Sequence, residues 1–407
     1  MALPPLEFLF FALTLTGVAL FHKRALTIAL TGLAVTVVYK LAFAGFSRGT
    51  GLAGLGAHFA HEWVILANLM LLLVGFAMVA RHFEESNLPH AIPRYLPSGW
   101  AGAFSVLAMV FMLSAFLDNI AGAVIGGIVA KHVYRDRVCI GYVASIVAAA
   151  NAGGAGSVVG DTTTTMMWLG GVSPLHLLWA YVAAVSCFFV FASFGAWQQA
   201  RYAPTERHES APLEIDWSRL GVVAVTLVAI ISANVSANLL FPGLEEFVPV
   251  LGIAIWVALL VMLFVRRPDW TVAPEAAKGA LFLVALVALA SLMPVASLPP
   301  PSVYTTLGLG FLSAVFDNIP LTALALTQGG YDWPMLAYAV GFGGSMIWFG
   351  SSAGVALTQV FPEGRSVVQW LRQSWYIPLA YLVGFGVMLA VCGWNPQVLS
   401  QTATPAH

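Results

Sequence analysis

The sequence predicts an all-α polytopic membrane protein: an inverted repeat of two five-span halves, each with a re-entrant hairpin and a broken helix. Three observations predict it. The 407 residues are 60% hydrophobic and only 9% charged, a composition that fits a chain bathed in lipid and not a soluble globule. Apolar runs long enough to cross ~30 Å of hydrocarbon recur along the whole length. Finally, SAFLDNI at 114–120 and SAVFDNI at 313–319 agree at five of seven positions, 199 residues apart.

In chain order, the runs that qualify as spans are 6–21, 25–44, 62–80, 141–170, 175–197, 220–241, 247–265, 277–294, 336–360 and 376–392. The first follows an uncharged N-terminus and is not followed by a small-residue cleavage site, so it reads as a span and not a removable signal. Two further stretches, 102–131 and 303–328, each consist of two short apolar arms meeting at Asp-Asn. Arms of that length turn back more readily than they cross, which favours re-entrant hairpins, while two crossings by either would keep the same charge bias and leave a twelve- or fourteen-span model open. Residues 1–200 then form the first repeat, 201–218 a cytoplasmic linker, and 219–407 the second repeat. With the N-terminus outside, the cytoplasmic loops collect all of the 17 Lys and Arg residues except Lys40 and Arg48, as the positive-inside bias requires. Both termini are then periplasmic in a bacterial inner membrane. The Pro-, Glu- and His-containing stretches 81–100 and 198–218, with Glu84 and Glu85, read as solvated connectors. Cys139, Cys187 and Cys392 stand singly in apolar surroundings and read as packing residues.

The stretch 151–168, NAGGAGSVVGDTTTTMMW, is the least suited to an ordinary helix. Glycine costs about 1 kcal/mol against alanine in a helix interior, and an Asp at bilayer depth about 2.5–3.5 kcal/mol. Irregular backbone at that depth is tolerated where it is buried in protein or lines a cavity, so the helix breaks near 153–160 with Asp161 at the break. Gly153, Gly154 and Gly160 align with Gly343, Gly344 and Gly350 at an offset of 190, placing Asp161-Thr162 on Ser351-Ser352. Five crossings per half turn the second half upside down. The hairpins then enter from opposite faces and meet the broken helices near the midplane, the arrangement of an alternating-access carrier.

Asp118, Asp161 and Asp317 lie in these elements without an accompanying Lys or Arg. The site is therefore anionic and suited to a cation. Oxygen donors accompany the acids: Asn119, Asn151, Thr162, Thr163, Asn318, Ser351 and Ser352, with Ser114, Ser157, Ser313 and Ser345 nearby. Hard cations such as sodium or lithium take such ligands, and no Cys or His cluster is present for a soft metal. Burial and mutual repulsion oppose three simultaneous charges, so a proton can take the metal ion's place. Each assignment has a plainer alternative. Asn119 and Asn318 also fit as hairpin caps, Thr164 and Thr165 as threonines bonding back within their helix, and His58, His61, His82 and His90 as residues at membrane edges. Glu62 fits an interface anchor as well as a proton path. Most of the 13 tryptophans suit interfacial belts, although Trp168 and Trp348 flank the broken segments. The glycines lack the Lys of a phosphate-cradling loop, and no nucleophile constellation is visible. An enzyme, a resident cofactor and a nucleic-acid partner are not expected; the transported ions are sodium or lithium and protons.

At GGAGSVVGDTTTTMMW (153–168), DNIPLTA (317–323) and GGSMIWFGSSAGVA (343–356) the chain resembles the NhaD-type sodium/proton antiporters of the ion transporter superfamily. The resemblance implies that Asp118, Asn119, Asp161, Thr162, Thr163, Asp317, Asn318, Ser351 and Ser352 form the ion and proton site. It also implies a homodimer whose subunits each carry a scaffold and an elevator-like transport domain. The family has threonines after the first Asp-Asn, where this chain has Ile120, Ala121, Gly122 and Ala123. Relatives in the superfamily carry citrate, dicarboxylates or arsenite, so a sodium- or proton-coupled anion carrier stays open as the alternative.

Overall fold

The computed structural model describes residues 5–21, 24–46, 48–88, 97–203, 214–240, 244 and 247–397. Among these the fold is helical throughout: α1 (Leu6–Leu20), α2 (Ala25–Tyr39), α3 (Gly51–Glu84), α4 (Gly99–Ser114), α5 (Asn119–Val133), α6 (Ile140–Gly154), α7 (Thr162–Leu169), α8 (Ala180–Tyr202), α9 (Trp217–Leu240), α10 (Val250–Met262), α11 (Ala273–Ser291), α12 (Val303–Ser313), α13 (Asn318–Gln328), α14 (Trp333–Gly343), α15 (Ser352–Val360), α16 (Val367–Gln373) and α17 (Tyr376–Cys392). Among the described residues four continuous helical stretches are long and apolar enough to cross a bilayer: Ala25–Ala44, Gly51–Glu84, Pro174–Tyr202 and Trp270–Ser291. α16 and α17, bent by 58° at their junction, pass the same test as a pair. Large apolar side chains such as Phe43, Leu52, Leu175, Val228 and Phe264 stand exposed. A surface of that kind needs lipid and not water against it. The molecule is a multi-pass membrane protein.

The chain divides into two compact units, each assembled from both halves of the sequence. The first unit comprises residues 1–86 and 216–298, and the second 87–215 and 299–407. Most of the 201–218 linker lies outside the described residues, as do Lys23, His90, Arg94 and Arg207.

In the first unit α3 is the central element, packed by α9, α10 and α11, with α2 on α11 and α1 on α2. The helix begins at Gly51, eleven residues before the predicted span, because the Gly- and His-containing segment before Glu62 continues the helix despite its weaker hydropathy. α2 ends in a π-helical turn, Lys40–Ala44, that draws the Lys40 side chain inward. Its ammonium donates to Leu292 O at 2.9 Å, past the end of α11, and lies over the Phe46 ring. Carbonyls at a helix C-terminus lack intrahelical partners and carry the negative end of the dipole, so a cation is stabilised there.

At the other end of α3, Glu84 and Glu85 are not simply solvated. Arg81 pairs with Glu84, Glu85 and Asp269, Arg219 pairs with Glu85, and Arg266 reaches Asp216 at 2.7 Å. The network joins the end of α3 to the start of α9 and the segment preceding α11. The Ser218 hydroxyl first, then the Arg219 and Ser218 amides and the Arg266 charge, hold the Asp216 carboxyl below its ordinary value. A depressed acid stabilises the fold above its unfolded value and loses that contribution as the pH falls through its folded value. Asp216→Asn is therefore expected to lower the melting temperature in detergent at pH 7, with the gap to the parent closing below about pH 3. An equal gap at both pH values would show that the charge is not what matters.

Candidate functional site

The second unit contains every residue of the predicted site. Two helices at its heart, α6 and α14, are buried along their entire length. Both are largely apolar around their circumference, as a helix surrounded by protein can be, with Ser145 and Asn151 the polar exceptions in α6. Each stops abruptly. α6 ends at Gly154 and the chain resumes as α7 at Thr162; α14 ends at Gly343 and resumes as α15 at Ser352. The cause is a close crossing by the hairpin. A methyl group on Gly153 would lie 2.1 Å from Phe111 O in α4, and one on Gly343 would lie 2.1 Å from Gly310 O in α12. Only glycine permits that approach, and the same contact occurs once in each half.

The hairpins turn where Asp-Asn predicts. α4 and α5 are separated by 115–118 and α12 and α13 by 314–317, so Asp118 and Asp317 are N-cap residues of their second arms. Both are half-buried, whereas the following Asn119 and Asn318 are buried. Asp317 accepts from Ile319 N at 3.1 Å and from Ser352 Oγ at 3.1 Å. In the second hairpin the capping role weighed for the asparagines thus falls to Asp317, whereas Asp118 holds the same position without a side-chain cap bond.

Asp161 is the most enclosed of the three acids, 2% exposed. As the N-cap of α7, its Oδ1 accepts from Thr163 N at 3.2 Å and its Oδ2 from Thr163 Oγ1 at 2.8 Å. Each oxygen keeps a further lone pair. Thr164 and Thr165 turn away: both hydroxyls donate to Asp161 O, and reach back to Ser157 O and Val158 O respectively. They tie the irregular segment to the helix that follows it. Thr162 is buried beside the cap. In the second half Ser351 caps α15, accepting from Gly354 N at 3.3 Å.

Asn151, fully buried in α6, joins the halves. Its Oδ1 accepts from Asn119 Nδ2 at 3.1 Å, while its Nδ2 donates to Ser345 Oγ at 2.9 Å and Ser351 Oγ at 3.1 Å. The three aspartates do not close on one point. Among the described residues no group of three His, Cys, Asp or Glu side chains could by itself hold a metal ion, and each aspartate stands at the start of its own helix with hydroxyl or amide neighbours. The packing that the sequence did not mark is an exchange between halves: α5 lies on α15, and α13 on α7.

Curated relatives resemble the chain over most of its length. A Vibrio cholerae protein named Na(+)/H(+) antiporter NhaD is 27% identical over 393 aligned positions, covering 79% of this chain and 78% of its own. The corresponding protein of Vibrio parahaemolyticus is 25% identical over 394 positions, covering 82% and 91%. The chain is a relative of the NhaD-type sodium/proton antiporters. Sodium/proton antiporter 1 of Arabidopsis thaliana is 28% identical over 325 positions, 70% of this chain, which spans only 54% of that longer protein. No family model matches. In this NhaD relative the break glycines are packing requirements before they are anything else. Gly153→Ala and Gly343→Ala are each expected to destabilise the protein by about 1–3 kcal/mol. Gly386→Ala, on an α17 position with open space around it, is expected to cost nothing; equal melting curves for all three would remove the close-packing account.

Proposed function

We propose that this protein is a secondary active transporter that exchanges sodium or lithium for protons by alternating access. The observation that carries the reading is Asp161, a carboxylate buried at a helix break with both oxygens turned to neutral donors and no basic residue in either broken segment. A buried acid so placed has two inexpensive partners, a proton or a small hard cation. Binding one excludes the other, and that competition couples the two fluxes without ATP. The names of the relatives support the same exchange.

The recurring glycine crossings, and the exchange of partners between halves, support two five-span repeats of opposite orientation with hairpins that re-enter the membrane. Residues 1–200 and 219–407 would be those repeats. In this reading the unit holding the site moves as an elevator, and the bacterial inner membrane holds a homodimer with periplasmic termini; the family resemblance and the basic-residue bias support these points. The capping pattern opposes the anion-carrier alternative. Helix N-termini can bind a carboxylate or oxyanion, but Asp161, Asp317 and Ser351 already cap three of them from within.

In everted vesicles, sodium or lithium added to the parent is expected to collapse a respiration-driven pH gradient. Asp161→Asn keeps the side chain's shape but cannot exchange a proton, and is expected to show no response while inserting normally. A full response from that variant would refute the reading. Proton movement on addition of citrate, and not of alkali cations, would favour the anion carrier.

A further inference from the structure

The two halves share more than their breaks, and one difference between them is informative. Positions 151 and 341 are related by the same offset of 190 that relates Gly153 to Gly343 and Asp161 to Ser351. In the first half the side chain at this position closes a circuit: Asn119 donates to Asn151, and Asn151 donates to Ser345 and Ser351. In the second half the corresponding residue is Gly341, and the circuit is open.

The surroundings of Gly341 are nonetheless those of Asn151, with the halves exchanged. A methyl group built on Gly341 would lie 3.0 Å from Asp161 Oδ2, 3.9 Å from Thr163 Oγ1 and 4.0 Å from Ala155 Cβ. Asp161 and Ala155 are the counterparts of Ser351 and Ser345, the two residues that Asn151 holds. α13 packs on α7 and α14 as α5 packs on α15 and α6, and the repeat makes Asn318, at the start of α13, the counterpart of Asn119. Asn318 is 3% exposed, and its Nδ2 has no hydrogen-bond partner. A buried amide left unpaired costs about 1–3 kcal/mol. In the first half the counterpart amide is received by Asn151, and the repeat puts Gly341 at that position in the second.

The geometry points to two cradles of common design, of which Asn151 fills one and Gly341 leaves the other open as the single cation site of the chain. The inference rests on the cation-exchange reading and adds to it the position and number of sites. Asn151 presents two N–H groups to two hydroxyl oxygens, as a cation would, and carries no charge. That cradle is satisfied by the protein's own groups. In the open cradle a cation has the free lone pairs of Asp161 and Thr163 on one side. Turned by half a rotation, the Asn318 carboxamide offers its oxygen on the other. When Asp161 is protonated the space at Gly341 can take water, which would satisfy the Asn318 amide.

The test is to fill the open cradle. Gly341→Ala places a methyl group against the Asp161 carboxylate and is expected to raise the half-saturating sodium concentration about tenfold, the equivalent of ~1.4 kcal/mol. Gly341→Asn supplies the missing carboxamide. It is expected to abolish both exchange and the sodium-dependent rise in melting temperature, while its sodium-free melting temperature is no lower than the parent's. Equilibrium sodium binding to the parent is expected to saturate at one ion per chain. Parental sodium affinity in either variant, or two ions per chain, would overturn the inference. Should Gly341→Asn fail to fold, Gly341→Ala decides, because its methyl group meets side chains only and no backbone atom within 4 Å. A parent that shows no sodium-dependent exchange at all would instead refute the transport reading.

Discussion

The second unit is governed by one constraint: two helices that stop inside protein must have their free backbone groups satisfied there. Water is excluded from α6 and α14, so nearby side chains and carbonyls do the work. Asp161 and Ser351 cap the helices that follow the interruptions, Asp317 caps the second arm of the hairpin beside them, Thr164 and Thr165 return to the carbonyls of the irregular segment, and the Tyr181 hydroxyl donates to Gly153 O at 2.8 Å. The chemistry follows from this arrangement. A carboxylate recruited as a cap is also a buried charge, and its need for a counter-charge makes the break a place for ions.

Much of this was legible in the sequence because each signal was a local violation. Glycines and an Asp within an apolar run mark the interruption of α6, and the duplicated Asp-Asn marks both hairpin turns. The alignment at an offset of 190 also placed Asn151 on Gly341, so the open position was available in the letters. Its meaning was not, because it depends on which side chains approach from the other half of the chain. Nor did local pattern show Lys40 drawn onto the end of α11, since a lysine near a span end ordinarily extends to the interface. The aspartates were grouped by charge and by their place in the repeat, and what the letters do not show is that each begins a different helix.

The same limits explain α3. Hydropathy windows discount Gly51–His61 because glycine and histidine dilute the apolar signal, yet the helix runs unbroken through it. His58 is buried there against Ser291 Oγ at 3.0 Å. Partners 233 residues away supply what the local sequence lacks.

The interleaving of the two units has a consequence for biosynthesis. Residues 1–86 wait for 216–298 before the first unit is complete, and 87–215 wait for 299–407 before the second is. As the chain leaves the ribosome, α6 and α7 enter the bilayer before α13, α14 and α15 exist. For that interval Asp161 and the ends of a broken helix lack half of their surroundings. Insertion machinery that shelters such an intermediate, or a rate of elongation that shortens its life, then matters as much to the yield of this protein as the stability of the finished fold.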